Sequence, residues 1–176
     1  MIVETVRIVA DWLADATYGV NAVRDAVPRD TGVRVAPLVA VLDSTRDGRV
    51  TRGGVPQGIT GPALLVSPAD QPLEQANPAV RPFPPDASLT VLVRFVTANL
   101  DSAEAERDAS QTIKAVWWQV PQLLLTSAGE AARTRAGVQL YAISNMQAVT
   151  LYESDADTIV TGGVLIACRV RYLGPS

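Results

Sequence analysis

Apolar residues recur at helical spacing along the first two dozen positions of the chain. They follow one another in steps of four and three, with charged residues between them, as on an amphipathic helix. The apolar positions are Ile2, Val6, Val9, Leu13, Ala16, Val20 and Val23. The pattern predicts one helix that ends before Pro28 and lies on a sheet. A helix that also contacts a neighbouring subunit is the alternative.

Three apolar runs predict strands in the first half of the chain. Val33–Leu42 is rich in β-branched and aliphatic residues. Pro37 removes one ladder donor from this run, so the strand belongs at a sheet edge or carries a bulge. Pro62–Ser67 is short and apolar. Ser88–Ala98 has apolar side chains at both alternating sets of positions, which predicts a strand covered on both faces near the sheet centre.

A second amphipathic helix is predicted after the central strand. Asp101 and Glu104 have the spacing of a helix cap and its capping box. Its buried stripe should consist of Ala109, Ile113, Val116, Trp117 and Val120. Trp118 points about 100° away from Trp117, but core burial of both tryptophans is the favoured interpretation. The helix should end or kink at Pro121, and residues 122–137 are ambiguous between further helix and loop.

The last two apolar runs predict a closing antiparallel hairpin. Val138–Tyr152 carries aromatic and branched residues, with an interruption near Ser144 and Asn145. A short acidic link joins it to Ile159–Tyr172. In that second run one face should hold Val164, Ile166, Cys168, Val170 and Tyr172, and the other Arg169 and Arg171. The single cysteine, Cys168, is therefore predicted to be a core side chain.

Two long loops separate these elements. Residues 43–58 are glycine-rich and include Arg46, Arg49 and Arg52, and residues 68–87 are proline-rich. Loops of more than about 12 to 15 residues without secondary structure of their own generally serve binding or remain disordered. The order helix, strands, helix, strands predicts a single α+β domain over residues 1–176. We expect a mainly antiparallel β-sheet with two α-helices packed on one face.

Charge and hydropathy restrict the partners and the compartment. The net charge of −3 and the isoelectric point near 4.9 leave no general positive field, which argues against a DNA-sequence reader. Glu4, Arg7 and Asp11 interrupt the apolar centre that a signal peptide needs. No run approaches the ~18 apolar residues of a membrane span. We expect a protein that stays in a cytoplasm and has no membrane partner.

The inventory of reactive side chains is small. The chain has no histidine and one cysteine, which excludes imidazole-dependent catalytic triads and structural zinc sites. We expect no enzyme activity, and we assign no catalytic, cofactor-binding or metal-binding residue.

Two loop motifs resemble binding sites only superficially. Asp43, Thr45, Asp47 and Gly48 match the start of a calcium loop, but Gly54 stands where a bidentate glutamate is needed, and the nearby arginines would repel the ion. The glycines of "RGGVPQG" lack the spacing of a phosphate-binding loop.

The acidic groups also have simpler explanations. Glu104, Glu106 and Asp108 are interpreted as a solvated helix face, with Glu104 serving the cap. Asp155 and Asp157 are interpreted as turn residues.

The order of elements resembles the tail terminator, or tail completion, proteins of long-tailed bacteriophages. The likeness rests on an N-terminal helix, the excursion "DGRVTRGGVPQG", the strand "PALLVS", a strand leading into a capped helix, "SLTVLVRFVTANLDSAEAERDASQTIKAVWWQV", and the final strand "TGGVLIACRVRY". It covers most of the chain and carries over no individual residue role. The proline-rich loop is an addition to the family's pattern, and an arm onto a neighbouring subunit is one interpretation of it.

The resemblance implies a structural protein of the virion. Members of this family form a ring, commonly a hexamer, that caps the tail tube, stops its polymerisation and joins the tail to the head connector. The implied partners are copies of the same chain, the tail tube protein, the head-tail connector protein and DNA that passes through the ring without sequence reading. The implied location is the head-tail junction, after assembly in the host cytoplasm.

An interface role for Arg46, Arg49 and Arg52 follows as a hypothesis. These arginines could pair with carboxylates of the next subunit or of the tube, and a solvated loop without a partner is the alternative. Three other functions stay open: a head-tail connector (neck) protein, a small-molecule enzyme or binding domain whose pocket is covered by the proline-rich loop, and a cellular scaffold protein unrelated to phage.

Overall fold

The computed structural model describes residues 1–24, 37–47, 56–69, 86–98, 101–155 and 158–174. Residues 48–55 of the first long loop, including Arg49 and Arg52, and residues 70–85 of the second lie outside these ranges. The helices are α1 (Ile2–Ala14), α2 (Val20–Val23), α3 (Ser102–Gln119), α4 (Gln122–Leu125) and α5 (Ser127–Ala132). The strands are β1 (Ala40–Asp43), β2 (Ala63–Pro68), β3 (Asp86–Thr97), β4 (Thr134–Arg135), β5 (Val138–Asp155) and β6 (Thr158–Tyr172).

These strands form one mixed six-stranded sheet in the order β1-β2-β3-β6-β5-β4. β1 runs parallel to β2, a pairing that the sequence did not predict, and the other neighbouring pairs run antiparallel. The α+β class is confirmed. So are the edge position of β1, the central position of β3 and the closing hairpin of β5 and β6.

The N-terminal helix is shorter than predicted. α1 ends at Ala14 because the Asp15 carboxylate accepts hydrogen bonds from the backbone N–H groups of Thr17, at 2.7 Å, and Tyr18, at 2.8 Å. Such a local turn competes with helix continuation. Gly19 then sits where a Cβ would approach the Asp15 carbonyl oxygen to 2.3 Å. The single helix through Val23 was therefore a wrong prediction.

Of the predicted strand Val33–Leu42, residues 33–36 lie outside the described residues, and residues 37–39 precede the strand that the structure describes. The Asn21 side-chain oxygen accepts a hydrogen bond from the Leu38 backbone N–H at 2.9 Å, and the Asn21 side-chain nitrogen donates one to the Leu38 carbonyl at 2.9 Å. Because this side chain of α2 occupies both backbone groups of Leu38, Leu38 does not join the strand. Ladder pairing with β2 starts at Ala40.

Side chains of α1 and α3 share one buried cluster with alternating residues of the central strands. The cluster includes Val9, Leu13, Val116, Phe95 and Ile166. Asp101 caps α3 as predicted, since its carboxylate accepts the N–H groups of Ala103 and Glu104. None of the helices in the described ranges has the length and hydropathy of a membrane span.

Residues 122–137, ambiguous in the sequence, contain α4, α5 and β4. The Thr126 hydroxyl caps α5 by accepting the Gly129 N–H at 3.0 Å. The strand interruption predicted near Ser144 is a register shift between Ile143 and Asn145.

The two main helices are also joined by one buried polar contact. The Trp12 indole Nε1 donates to the Gln119 carbonyl at 2.9 Å, and the Trp12 ring stacks on Tyr18 with ring centroids 5.5 Å apart. Trp12 thus ties α1 to the end of α3, where helix carbonyls lack partners of their own.

Replacing Trp12 with phenylalanine should lower the free energy of unfolding by about 1–3 kcal/mol, because it leaves a buried carbonyl without its donor. Trp118→Phe is the matched control. Trp118 is 60% exposed, so this change should stay within about 0.5 kcal/mol. Urea unfolding of both variants measures the difference. Equal effects would contradict the structural role given to Trp12.

Candidate interaction surfaces

A groove runs between α3 and the second half of β5. It encloses about 520 Å³, and its walls carry Ala109, Ile113 and Trp117 from the helix and Ala148, Leu151 and Tyr152 from the strand. We call it the α3–β5 groove. Its lining is mostly apolar, with Glu106 and Lys114 also at its walls.

The groove exists because α3 covers the central strands and stops short of β5. Ala148 pairs with Val164 of the core cluster, and Tyr152 pairs with Thr161, whose hydroxyl donates to the Ala105 carbonyl of α3 at 3.4 Å. Paired residues point to the same face of a sheet. Ala148 and Tyr152 therefore lie on the helix-covered face, beside α3 and beyond its reach.

Gly162 allows the helix to approach the floor of the groove closely. Its backbone has φ +83°, and a Cβ there would lie 3.0 Å from the Ile113 Cδ1 atom. Both the positive φ and the close contact favour glycine at this position.

Large apolar side chains are exposed around the groove and at the end of α3. Trp117 is 43% exposed, Trp118 60%, Tyr152 62% and Leu125 74%. The predicted core burial of both tryptophans is wrong. The inner stripe of α3 is already filled by Ala109, Val116 and Val120. At about 100° per residue, Trp117 falls on the flank of that stripe and Trp118 on its far side.

Among the described residues, little pairs with the outer edge of β5. β4 pairs only with Val138 and Gln139, and from Tyr141 to Asp155 no strand within the described ranges pairs with this edge. No charged residue occurs between Val138 and Tyr152. Proteins normally protect edge strands with charges, prolines or bulges. β5 has three register shifts against β6 but no charge along this stretch.

The first charged residue on this strand, Glu153, already has a partner. Its carboxylate lies 3.6 Å from the Arg94 guanidinium, which is largely buried in the sheet. Burial lowers the pKa of Arg94, and the nearby Glu153 opposes that effect. This pair does not interrupt the uncharged stretch of the edge.

Arg46, one of the three predicted interface arginines, is engaged within its own chain. Its guanidinium donates to Asp11 at 2.8 Å and lies 3.5 Å from Asp43. Asp11 also binds Arg135 at 2.6 Å. Arg46 therefore already pairs with two carboxylates of its own chain. An interface role for Arg46, Arg49 and Arg52 stays a prediction, and the last two lie outside the described residues.

The Asp43 carboxylate belongs to the same network. It is buried, accepts the Thr45 N–H and hydroxyl at 2.8 and 2.7 Å, and lies 3.7 Å from Arg7. The first ligand of the supposed calcium loop is thus held by a turn and two arginines. Within the described residues, no group of three or more acidic, histidine or cysteine side chains could hold a metal ion.

Of the other sequence candidates, Glu106 lies at the wall of the α3–β5 groove, and the other described ones lie outside its lining. Glu104 and Glu106 are exposed, and Asp108 is half-buried, so burial, with a contribution from Glu104, raises the pKa of Asp108. Cys168 is buried as predicted, and burial raises its pKa to about 12. The side chains of Asp155 and Asp157 lie outside the described part of the chain.

Sequence reasoning did not find the α3–β5 groove or the open edge. One available signal was the uncharged run from Val138 to Tyr152, and another was the angular position of Trp118. Comparison of the chain with family models, curated proteins and solved structures found no match.

Two leucines of α4 test whether the exposed residues serve the fold. Leu123→Ala should destabilise the protein by about 2–5 kcal/mol, because Leu123 is fully buried. Leu125→Ala should change stability by no more than about 0.5 kcal/mol. Thermal or urea unfolding checks both. A large loss from Leu125→Ala would assign the exposed patch to folding and not to binding.

Proposed function

We propose that this protein is a ring-forming terminator of a bacteriophage tail. The observation that carries the proposal is the open, uncharged edge of β5 beside the α3–β5 groove with its exposed Trp117 and Tyr152. An unprotected strand edge next to exposed aromatic side chains suits association with another protein chain. The surfaces favour a protein that works by assembly.

The arrangement of layers supports the same proposal. The family resemblance implies a mainly antiparallel sheet flanked by two helices. Here α1 and α3 contribute to one core cluster against that sheet, and β1–β2 is the parallel pair. The β-sheet edges are left for contacts between subunits.

In this proposal the chain forms a homo-oligomeric ring, a hexamer as in the family, at the head-tail junction. The ring binds the end of the tail tube, stops its growth and presents a surface to the head connector, with DNA passing through it. The loop from residue 43 to 58 contacts a neighbouring subunit or the tube. The Asp11–Arg46–Asp43 network holds the start of that loop against α1.

One observation favours a second function. The volume of the α3–β5 groove lies within the range of small-molecule sites, about 300–1,000 Å³. A small apolar ligand bound against Trp117 would make the protein a binding domain, and a monomer would then be the expected state.

The mass of the protein in solution tests the proposal. We expect particles of six copies of the 18.6 kDa chain, populated increasingly as concentration rises and capable of limiting tube length when mixed with polymerising tube protein. Analytical ultracentrifugation and electron microscopy of tube length make the measurement. A strict monomer at high concentration that leaves tube length unchanged would contradict the terminator role. A ring that joins heads to tails without limiting tube length would indicate the neck connector instead.

A matched pair of tryptophan variants tests whether the α3–β5 groove takes part in self-association. Trp117→Ala should weaken self-association at least about tenfold, since truncating a tryptophan at the centre of an interface commonly costs more than 1–2 kcal/mol. Trp118→Ala, on the next position but facing away from the groove, should have little effect. Sedimentation of both variants gives the comparison. An effect from Trp118 alone would move the interface off the groove.

A further inference from the structure

We propose that neighbouring copies join by antiparallel strand addition, with the β1 edge of one copy beside the β5 edge of the next. This inference rests on the proposed ring function and names the contact that builds the ring. The two edges belong to opposite ends of the same sheet, so one copy can offer both at once.

The strand directions fit this contact. β1 runs parallel to β2, and each step from β2 through β3 and β6 to β5 reverses direction. β1 and β5 therefore run in opposite senses within one chain. A neighbour placed side by side in the same orientation brings its β1 antiparallel to β5, and both helix layers stay on the same side of the joined sheet.

The register across the sheet also fits. Successive pairings place Ala40, Ala63, Val96, Val160 and Glu153 in one row across the strands. Rotation about a ring axis preserves height along that axis. If the strands follow the axis, Ala40 of one copy lies beside Glu153 of the next.

Exposed side chains on the two edges meet in that register. Val39 precedes β1 and is 55% exposed, and its backbone N–H donates to the Pro62 carbonyl at 2.8 Å. Val41, two positions later, packs against the helix-covered core, so Val39 points to the same face. In a neighbour, Val39 then lies beside Ser154 and diagonally from Tyr152, within the reach of an aromatic side chain.

The contact is head-to-tail, because it uses two different surfaces of the chain. Contacts of this type close into rings when the rotation between copies permits and form open filaments when it does not. The same contact therefore accounts for identical, repeated joints around a ring.

Engineered cysteines test the joint directly. The double variant Val39→Cys with Ser154→Cys should form disulfides between copies under mild oxidation and give a ladder of covalent oligomers on a non-reducing gel. Val39→Cys with Tyr152→Cys is a second variant on the same face, in case Ser154→Cys perturbs the hairpin. Each single variant should give no ladder. Native Cys168 is buried with its pKa raised to about 12, so it stays a thiol.

Val39→Cys with Ala148→Cys is the out-of-register control on the same face, since six residues of strand place Ala148 about 20 Å from Ser154. A ladder from the in-register pairs alone would support strand addition. Ring-sized particles without any ladder would overturn this joint and leave the terminator proposal standing. Absence of both rings and ladders would overturn the two together, and equal ladders from the in-register and control pairs would also reject the assigned register.

Discussion

β5 extends beyond the layer formed by α1 and α3. The α3–β5 groove and the exposed aromatic side chains depend on this difference in extent. α1 and α3 share a core with the central strands, and that packing leaves the far half of β5 without cover on its helix side. Apolar side chains that close the core elsewhere are exposed there, and the backbone edge beside them has no strand partner within the described ranges. Burial of this surface would be favourable at roughly 25 cal/mol per Å² of apolar area. In the proposed function, a second copy of the chain buries it.

The ion pairs around Asp11 and Asp43 position the chain after β1 more than they stabilise the fold. The exposed pairs of Asp11 with Arg46 and Arg135 each contribute little by themselves. Together with buried Asp43, however, they fix how the chain leaves β1 and enters the arginine-bearing loop. Arg46 therefore acts as an anchor for that loop. The hypothesis that the loop contacts a partner now depends mainly on Arg49 and Arg52.

The sequence predicted those parts of the fold that depend on local patterns. Alternation identified β3 as a central strand, β6 as a strand of the closing hairpin and Cys168 as a core residue, and Asp101 marked the start of α3. The failures occurred where a single side chain overrides the pattern: Asp15 ends α1, and Asn21 holds Leu38 outside the β-ladder. Burial of Trp117 and Trp118 could not be judged from hydrophobicity alone, because it depends on how far the helix layer extends over the sheet. The α3–β5 groove could not be predicted for the same reason, because it forms where α3 stops short of β5.

Amide hydrogen exchange across β5, measured as a function of protein concentration, tests the central claim most directly. If another copy covers the open edge, outward-facing amides from Thr150 to Ser154, the stretch opposite Val39–Asp43 in the proposed register, should exchange rapidly in dilute solution and become protected as the protein assembles. Amides of β3, which is paired on both sides, should be protected throughout. Exchange along β5 that stays rapid at every concentration, including concentrations at which rings are present, would contradict the account.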